Sequence, residues 1–499
     1  MSSLLRYTLI ISAGVAVCHS AGADALANDA QDATDKHTRI NPQLGRPEAE
    51  PIEIVDYAFL NRQVNRIKMN GADWQGLIHK FESIGQSGAS GVNIVHIGDS
   101  HIQADGNTGR VRTHLQSIYG NGGRGLMAPL RIAGTNQPVD YSLSTTGSVS
   151  TATLLKLPWR VEMGFTGVAV KPTAGQATFK LTDKSAFNTL RIYANGPVKV
   201  HDVSTDGVAI SFTFESEEWG AQVRFDKQVC AISVRLSGAN MIVYGFDARD
   251  TETVGVVYHA IGNNGATFAT YSRISGFGKG IALLEPDLVV LSLGSNEAFG
   301  KITDADFYKQ IDALIKIIRA ENPEVKILLT TPSECQRSVY TTTRSRKGRK
   351  RRRVRRTRSY QVNANVERLR NVILKYGEEN QIPTYDFYAV AGGSGASAKW
   401  LQKGLMSADR IHRTWNGYYL EGNLIYNALL HTITGKEAEP IAVTAESKAA
   451  VPEASEKAPE TTVSDKKTVS SKKKTTVKKK KTTKKKKTRR SKTKCRKRR

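Results

Sequence analysis

Three side chains that are distant in the sequence are of the types that nucleophilic acyl transfer requires. Ser100 stands in the segment HIGDSH, just after a mostly apolar run, and a serine hydroxyl becomes a nucleophile when a base takes its proton. The segment Asp409-Arg410-Ile411-His412 places a carboxylate three residues before an imidazole. This spacing lets Asp409 hold one ring nitrogen while the other nitrogen faces Ser100. We therefore predict a catalytic triad of Ser100, Asp409 and His412.

Acyl transfer also needs hydrogen-bond donors that are aimed at the oxyanion of the intermediate. The candidate donors are the backbone N–H of Gly265, the side-chain amide of Asn296 and the N–H of Ser100 itself. Gly265 also suits a turn that needs a positive φ, and Asn296 also suits a hydrogen bond within a turn. Both interpretations can hold together, and we predict an oxyanion hole formed by Ser100, Gly265 and Asn296.

These residues lie in a part of the chain where β-branched apolar runs are followed by polar turns with glycine. Strand-like runs and helical patterns alternate there, with strands at 92–97, 254–261, 288–293, 326–330 and 384–387 and helices at 307–320 and 362–376. Such alternation predicts an α/β fold with a parallel sheet. The polar side chains then collect at the carboxyl ends of the strands, which is where a site belongs.

Residues 135–250 have a different pattern, with many short strand-like runs separated by Gly, Asn, Asp and Pro turns. This pattern predicts an inserted all-β sandwich, similar to a jelly roll, between the first and second strands of the α/β domain. The α/β catalytic domain is then discontinuous and consists of residues 56–134 and 251–435.

The two ends of the chain have the composition of processed or unfolded segments. Residues 1–23 contain Arg6, a short apolar run and small residues before a cleavage position, which predicts a signal peptide. Residues 24–55 predict a flexible lead-in, and residues 436–499 a disordered Lys/Arg-rich tail, because neither segment can bury a core. We expect a protein exported to the periplasm or cell envelope of a bacterium, with no transmembrane segment after the signal is removed.

The formal charge of +27 is concentrated in two segments. Residues 344–358, predicted as a basic loop within the catalytic domain, carry +11, and residues 461–499 carry +20, which leaves about −4 for the rest. A body with this charge disfavours a nucleic-acid-binding function. A dense run of positive charge binds a polyanion by releasing counterions, so the hypothesis for the tail is an anionic envelope polymer.

The sequence resembles the SGNH (GDSL-type) esterases in four short blocks. These are Gly98-Asp99-Ser100, Asn-Gly-Ala-Thr at 264–267, Gly-x-Asn at 294–296 and Asp-x-x-His at 409–412. The resemblance implies a flavodoxin-like serine hydrolase with Ser100, Gly265, Asn296 and His412 as the block residues and Asp409 in the triad. Two departures are His101-Ile102-Gln103, where lipolytic members usually have Leu, and Glu297, where an Asp often follows the block Asn.

Within that superfamily the GDSH start, the all-β insertion and the export signal most resemble peptidoglycan O-acetylesterases, which have a carbohydrate-binding-like β module in the catalytic domain. The resemblance implies an esterase that removes O-acetyl groups from an envelope glycan, through an acyl-enzyme on Ser100 and without a cofactor. The alternatives are an esterase for other acetylated polysaccharides or small acyl esters, and a non-catalytic protein that binds envelope polymers. His96 and His101 lack a carboxylate partner in the sequence pattern, so no metal site is predicted.

Overall fold

The computed structural model describes residues 7–9, 52–53, 57–347, 351–436 and 440–441. The predicted signal peptide, lead-in and tail lie outside the described residues, apart from Lys436 and the short strands Tyr7–Leu9, Ile52–Glu53 and Pro440–Ile441. Tyr7–Leu9 pairs with residues 212–214, and the other two short strands pair with each other. Within the described part of the chain, no helix is long and apolar enough to cross a membrane.

The centre of the fold is a sheet of six strands, five of them parallel. Across the sheet the strands are Val256–Gly262, Val92–Gly98, Leu288–Ser292, Lys326–Thr330, Thr384–Tyr385 and the antiparallel edge strand Ile67–Lys68. The parallel strands therefore have the order 2-1-3-4-5, the order of flavodoxin-like sheets. The alternation of strands and helices in the sequence correctly predicted an α/β fold with a parallel sheet.

The parallel strands are almost entirely buried, as the apolar runs predicted, and their carboxyl ends lie at the same level. Gly98 pairs with Gly262 on one side and with Ser292 on the other. Ser292 in turn pairs with Thr330. The loops that follow these strands consequently meet at one edge of the sheet.

Helices cover both faces of the central sheet. Their bounds are Gln75–Ser83, Ser100–Gln103, Gly106–Tyr119, Phe268–Tyr271, Phe277–Ala282, Asp304–Glu321, Asn365–Glu379, Phe387–Val390, Ala396–Gln402 and Trp415–Thr434, with short 3-10 turns at Arg62–Val64 and Glu297–Phe299. Asp304–Glu321 shows why they form, since Phe307, Ile311 and Leu314 recur at helical spacing and are fully buried. The side chain of Thr303 caps this helix by accepting a hydrogen bond from Asp306 N.

An antiparallel sheet region lies between the first two parallel strands of the central sheet in chain order, Val92–Gly98 and Val256–Gly262. Its strands are Gly125–Met127, Tyr141–Thr145, Val149–Thr153, Val168–Pro172, Gln176–Ala194, Lys199–Thr205, Val208–Ala209, Phe212–Glu217, Gly220–Ser237 and Val243–Arg249. The region begins before the predicted boundary at residue 135, because residues 125–127 pair with residues 246–248. The presence of an inserted β region is confirmed, while the sandwich arrangement stays a prediction.

Three buried charged side chains, Asp105, Arg112 and Arg124, and the partly buried Asp140 join this region to the α/β domain. Arg112 donates hydrogen bonds to Asp105 at 2.6 Å and to Asp140 at 2.7 Å. Arg124 donates to Asp105 at 2.7 Å and to Asp140 at 3.1 Å. Two positive and two negative groups balance each other here, so removing any one of them leaves an uncompensated buried charge.

The described parts of the basic segment, residues 344–347 and 351–358, belong to a two-stranded antiparallel hairpin, in which Gln336–Lys347 pairs with Arg351–Val362. The sequence analysis predicted a basic loop here because it considered only the charge of the segment. The flanking residues of the hairpin are rich in Val, Thr and Tyr, and these side chains favour extended backbone.

Candidate active site

The structure brings together the three side chains that were predicted as a triad. The distance from Ser100 Oγ to His412 Nε2 is 2.8 Å, and the distance from His412 Nδ1 to Asp409 Oδ2 is 2.7 Å. Donation of the Nδ1 proton to Asp409 leaves Nε2 as the acceptor for the Ser100 hydroxyl. The hydroxyl is thus placed to lose its proton to His412.

The carboxylate of Asp409 is held by its own turn. Its Oδ1 accepts hydrogen bonds from Ile411 N at 2.9 Å and His412 N at 3.0 Å. Burial alone would raise the pKa of Asp409, but the hydrogen bonds from His412 and Ile411 lower it to about 2. Asp409 is therefore ionised at neutral pH and can stabilise a positive charge on His412.

Arg410 has a φ of +63°, which is unusual for a residue with a side chain. Three backbone hydrogen bonds hold this turn, from Arg410 N to Ser407 O at 2.9 Å, from Ser407 N to His412 O at 2.8 Å and from Gln336 N to Arg410 O at 2.9 Å. The Arg410 guanidinium also donates to Gln336 Oε1 at 2.8 Å. The basic hairpin, whose first residue is Gln336, thus helps to fix the turn that presents Asp409 and His412.

Ser100 is the first residue of the short helix Ser100–Gln103, which Asp99 caps by accepting a hydrogen bond from His101 N at 2.9 Å. This helix lies very close to the neighbouring strand. A Cβ on Gly262 would stand 2.0 Å from Gln103 N, so only glycine fits there. The turn after the first strand is thereby held tightly against the second strand.

His101 and Tyr418 are neighbours of the triad that the sequence analysis missed. The His101 ring lies 5.2 Å from the His412 ring, and its Nδ1 is 3.2 Å from the Tyr418 hydroxyl. Burial, followed by the charges of His412 and Arg413, lowers the pKa of His101 well below its usual value. His101 is therefore neutral at neutral pH and packs beside the His412 imidazole. The polar residues around Ser100 signalled that the strand ends there. If the strand had continued, the alternation of its side chains would have pointed His101 away from Ser100.

Gly265 and Asn296 lie in the two loops that flank the Ser100 turn. Gly265 has a φ of +81°, as its turn interpretation requires. The Asn296 amide donates to Asp99 Oδ2 at 3.1 Å and to Ala266 O at 3.0 Å. The amide is thus adjacent to the Ser100 turn, and both of its hydrogens have protein acceptors in the free enzyme.

Glu297, which stands where the esterases often have Asp, connects the loops that carry Gly265 and Asn296. Its Oε1 accepts from Phe268 N at 2.9 Å, and its Oε2 accepts from Gly294 N at 3.1 Å. Burial raises the pKa of Glu297 to about 7. The side chain positions the loops that carry Gly265 and Asn296.

The antiparallel region reaches the edge of the site. A Cβ on Gly265 would lie 3.5 Å from the Leu155 side chain, which is 44% exposed. Gln103, one helical turn after Ser100, donates to Asn136 O at 2.7 Å and accepts from Asn264 N at 2.6 Å. Residues of the inserted region therefore border the loop that carries Gly265.

In the described ranges, no group of three or more His, Cys, Asp or Glu side chains could hold a metal ion. His96 lies within the central sheet, 2.8 Å from the Tyr258 hydroxyl and 2.6 Å from Ser292 Oγ. These contacts occupy both ring nitrogens with protein partners.

The buried Asp99 leads to a prediction about the pH dependence of stability. Burial raises its pKa to about 6, although the hydrogen bond from His101 N lowers it. A carboxyl whose pKa is raised on folding contributes stability below its unfolded pKa, and this contribution is lost as the pH rises through about 6. The shift from 3.8 to about 6 corresponds to at most about 3 kcal/mol.

We therefore expect the free energy of unfolding of the wild type, relative to Asp99→Asn, to fall by up to this amount between pH 4 and pH 7.5. Urea unfolding of both proteins across that range measures it. A difference that does not change with pH would show that Asp99 titrates normally.

Comparisons with known proteins agree with this geometry. Residues 237–420 match the model of the GDSL-like lipase/acylhydrolase family. The matched range contains Gly265, Asn296, Asp409 and His412, while Ser100 precedes it because the antiparallel region lies between. A search of curated proteins gave no match.

Among solved structures, the fold is similar to a peptidoglycan O-acetylesterase, with a TM-score of 0.57 and 20% identity, over 74% of this chain and 99% of that chain. A lipase/acylhydrolase from Enterococcus faecalis is matched with a TM-score of 0.25 and 21% identity, over 37% of this chain and 80% of that one. At 20% identity, the likeness to the peptidoglycan O-acetylesterase concerns the fold alone. The family match, however, agrees with the block residues, and the chain contains a GDSL-like lipase/acylhydrolase domain of the SGNH superfamily and is a serine ester hydrolase.

Proposed function

We propose that this chain removes O-acetyl groups from peptidoglycan through an acetyl-enzyme on Ser100, with His412 as general base and Asp409 as its partner. The observation that carries the proposal is the continuous hydrogen-bonded chain from Ser100 Oγ to His412 Nε2 at 2.8 Å and from His412 Nδ1 to Asp409 Oδ2 at 2.7 Å. The similarity to a peptidoglycan O-acetylesterase over three quarters of this chain supports the choice of substrate.

In the first half of the reaction, Ser100 Oγ attacks the carbonyl carbon of the acetyl ester while its proton passes to His412 Nε2. Ionised Asp409 stabilises the imidazolium that forms. When the tetrahedral intermediate collapses, the bond to the sugar oxygen breaks and His412 returns the proton to that oxygen. The sugar hydroxyl leaves, and acetate remains esterified to Ser100.

In the second half, a water molecule gives a proton to His412 Nε2 and attacks the carbonyl carbon of the acetyl-enzyme. When this second intermediate collapses, the bond from that carbon to Ser100 Oγ breaks, His412 returns the proton to Oγ, and acetate leaves. Both intermediates carry an oxyanion, for which the N–H groups of Ser100 and Gly265 and the amide of Asn296 are the proposed donors. Because the Asn296 amide already donates to Asp99 and Ala266, it must share or release one of these bonds as the oxyanion forms.

The openness of the site favours an ester carried on a polymer. The side chains of His412 and Asp409 are 39% and 45% exposed, so the reacting atoms lie near the surface. A long acyl chain would need an extended apolar pocket to bury it. An acetyl group needs none, and a polymer can lie across an open edge.

The proposed site of action is the bacterial periplasm or cell envelope, to which the predicted signal peptide would export the chain. An anionic envelope polymer remains the proposed partner of the Lys/Arg-rich tail. Both proposals rest on the sequence and on the proposed substrate.

The experiment that tests the function is a comparison of acetate release from O-acetylated peptidoglycan, acetylated xylan and esters of butyryl or longer acids. We expect the highest kcat/KM on peptidoglycan. Equal activity on xylan would favour a general acetylpolysaccharide esterase, and activity confined to butyryl or longer esters would refute the peptidoglycan assignment.

A further inference from the structure

The hairpin Gln336–Lys347 and Arg351–Val362 is the most strongly charged element that the structure describes. Residues 336–362 contain twelve Lys and Arg and no Asp or Glu. Twelve residues of antiparallel strand extend about 40 Å at roughly 3.4 Å per residue. The described side chains from Arg355 to Ser359 are exposed. Its described arginines, Arg337, Arg355, Arg356 and Arg358, are all exposed.

One face of the hairpin alternates tyrosine and arginine. Ser338 pairs with Tyr360, Tyr340 with Arg358, and Thr342 with Arg356, so these side chains project from the same face. The Arg356 guanidinium lies 3.9 Å from the centroid of the Tyr340 ring, and that of Arg358 lies 4.7 Å from the Tyr360 ring. We call this set, Tyr340, Tyr360, Arg356 and Arg358, the Tyr-Arg face.

Stacking on a ring orients a guanidinium so that its N–H edge can bind a planar anion such as a carboxylate. Arg358 Nε donates to Ser338 Oγ at 3.0 Å, so its two terminal NH₂ groups are the donors for an anion. Within the described residues 336–343 and 355–362 there is no acidic side chain to neutralise these groups. The Tyr-Arg face therefore has the chemistry of a receptor for repeated carboxylates.

The Tyr-Arg face leads directly to the turn that holds Asp409 and His412. The Arg410 guanidinium lies 3.9 Å from the Tyr360 ring centroid, on the same ring that Arg358 contacts. The Tyr360 hydroxyl is 3.5 Å from Ala408 O. A polymer bound along the hairpin would thus be held next to the turn that faces Ser100.

We propose that the Tyr-Arg face binds the carboxylates of the peptide stems of peptidoglycan and so places an acetylated sugar of the same polymer at Ser100. This inference rests on the proposed function. Peptide stems carry free carboxylates at intervals along the glycan, which matches the two guanidinium groups of Arg356 and Arg358, placed side by side on one face of a strand. A site for one small anion would instead need charges that converge on one point.

The test compares two double variants of the full-length protein that each remove two positive charges from the hairpin. Arg356→Gln with Arg358→Gln changes the Tyr-Arg face, and Arg337→Gln with Arg355→Gln changes the opposite face, where Arg337 pairs with Gln361 and Arg355 with Thr343. We expect the first variant to raise KM for O-acetylated peptidoglycan about fivefold or more, with kcat unchanged, and the control to change it less than twofold. Turnover of a small soluble acetate ester should be unchanged in both.

Cosedimentation with peptidoglycan that lacks O-acetyl groups separates this inference from the proposed function, because it needs no ester hydrolysis. We expect weaker binding for the Tyr-Arg variant than for the control, and the same loss when the stem carboxylates are amidated. Equal losses in both variants, preferential binding to duplex DNA, or a matching loss on the small ester would overturn the inference. If the wild type bound peptidoglycan in this manner but released no acetate from it, the proposed substrate would be wrong and the docking face would stand.

Discussion

Replacing Ser100 by alanine should reduce ester hydrolysis by about 10⁴-fold or more while leaving the protein folded, because the members of a triad act as one unit. The Ser100 side chain contributes a single hydrogen bond, to His412, so its loss removes the nucleophile with little effect on packing. The measurement is kcat on a small acetate ester, with melting temperature and circular dichroism to check the fold.

Other variants of the proposed triad should lose activity to different extents. His412→Ala should lose as much activity as Ser100→Ala, and the double variant should lose hardly more than either. Asp409→Asn should be milder, because the imidazole remains. Ser83→Ala is a matched control, since the side chain of this serine donates to the Lys80 carbonyl on a surface helix.

A fluorophosphonate should label the wild type at Ser100 alone, and near-normal turnover by Ser100→Ala would refute the mechanism.

Replacing Asn296 by alanine should reduce kcat about 10²- to 10³-fold with little change in KM, which is the usual cost of losing one oxyanion donor. The effect falls on kcat because the donor acts on charge that develops only in the transition state. Asn296→Asp keeps the shape of the side chain and loses the N–H donors, so we expect at least the same loss.

The hydrogen bonds of Asn296 in the free enzyme make a purely structural role testable as well. Its amide ties Asp99 to Ala266 O, and removing it deletes both bonds. If Asn296→Ala lowered the melting temperature while kcat of the folded protein stayed near normal, the residue would only support the loops. An increase in KM alone would make it a substrate contact.

The parts of the site that depend on local sequence were predictable. A β-branched run followed by a glycine turn marks the end of a buried strand, and this pattern located the loops of Ser100, Gly265 and Asn296 at one edge of the sheet. The triad partners were predictable because Asp409 and His412 form their contact within one turn of the chain.

The parts that depend on distant partners were not predictable. The capping of Ser100–Gln103 by Asp99 turns His101 toward His412, whereas the apolar pattern of the strand gives no sign of where its pleat ends. The hairpin depends on cross-strand contacts between tyrosine and arginine, which a count of charges does not contain. The start of the antiparallel region at residue 125 depends on pairing with residues 246–248.

The insertion of the antiparallel region has a consequence for biosynthesis. Among the strands that the structure describes, the partners of Val92–Gly98 are Val256–Gly262 and Leu288–Ser292, and both follow the whole insertion in the chain. Proteins are made from the amino terminus, and pairings between distant segments form slowly. A nascent chain that ends before residue 256 therefore contains the proposed nucleophile without its neighbouring strands or its base. If His412 is the base, as proposed, hydrolytic activity should appear only after synthesis has passed His412.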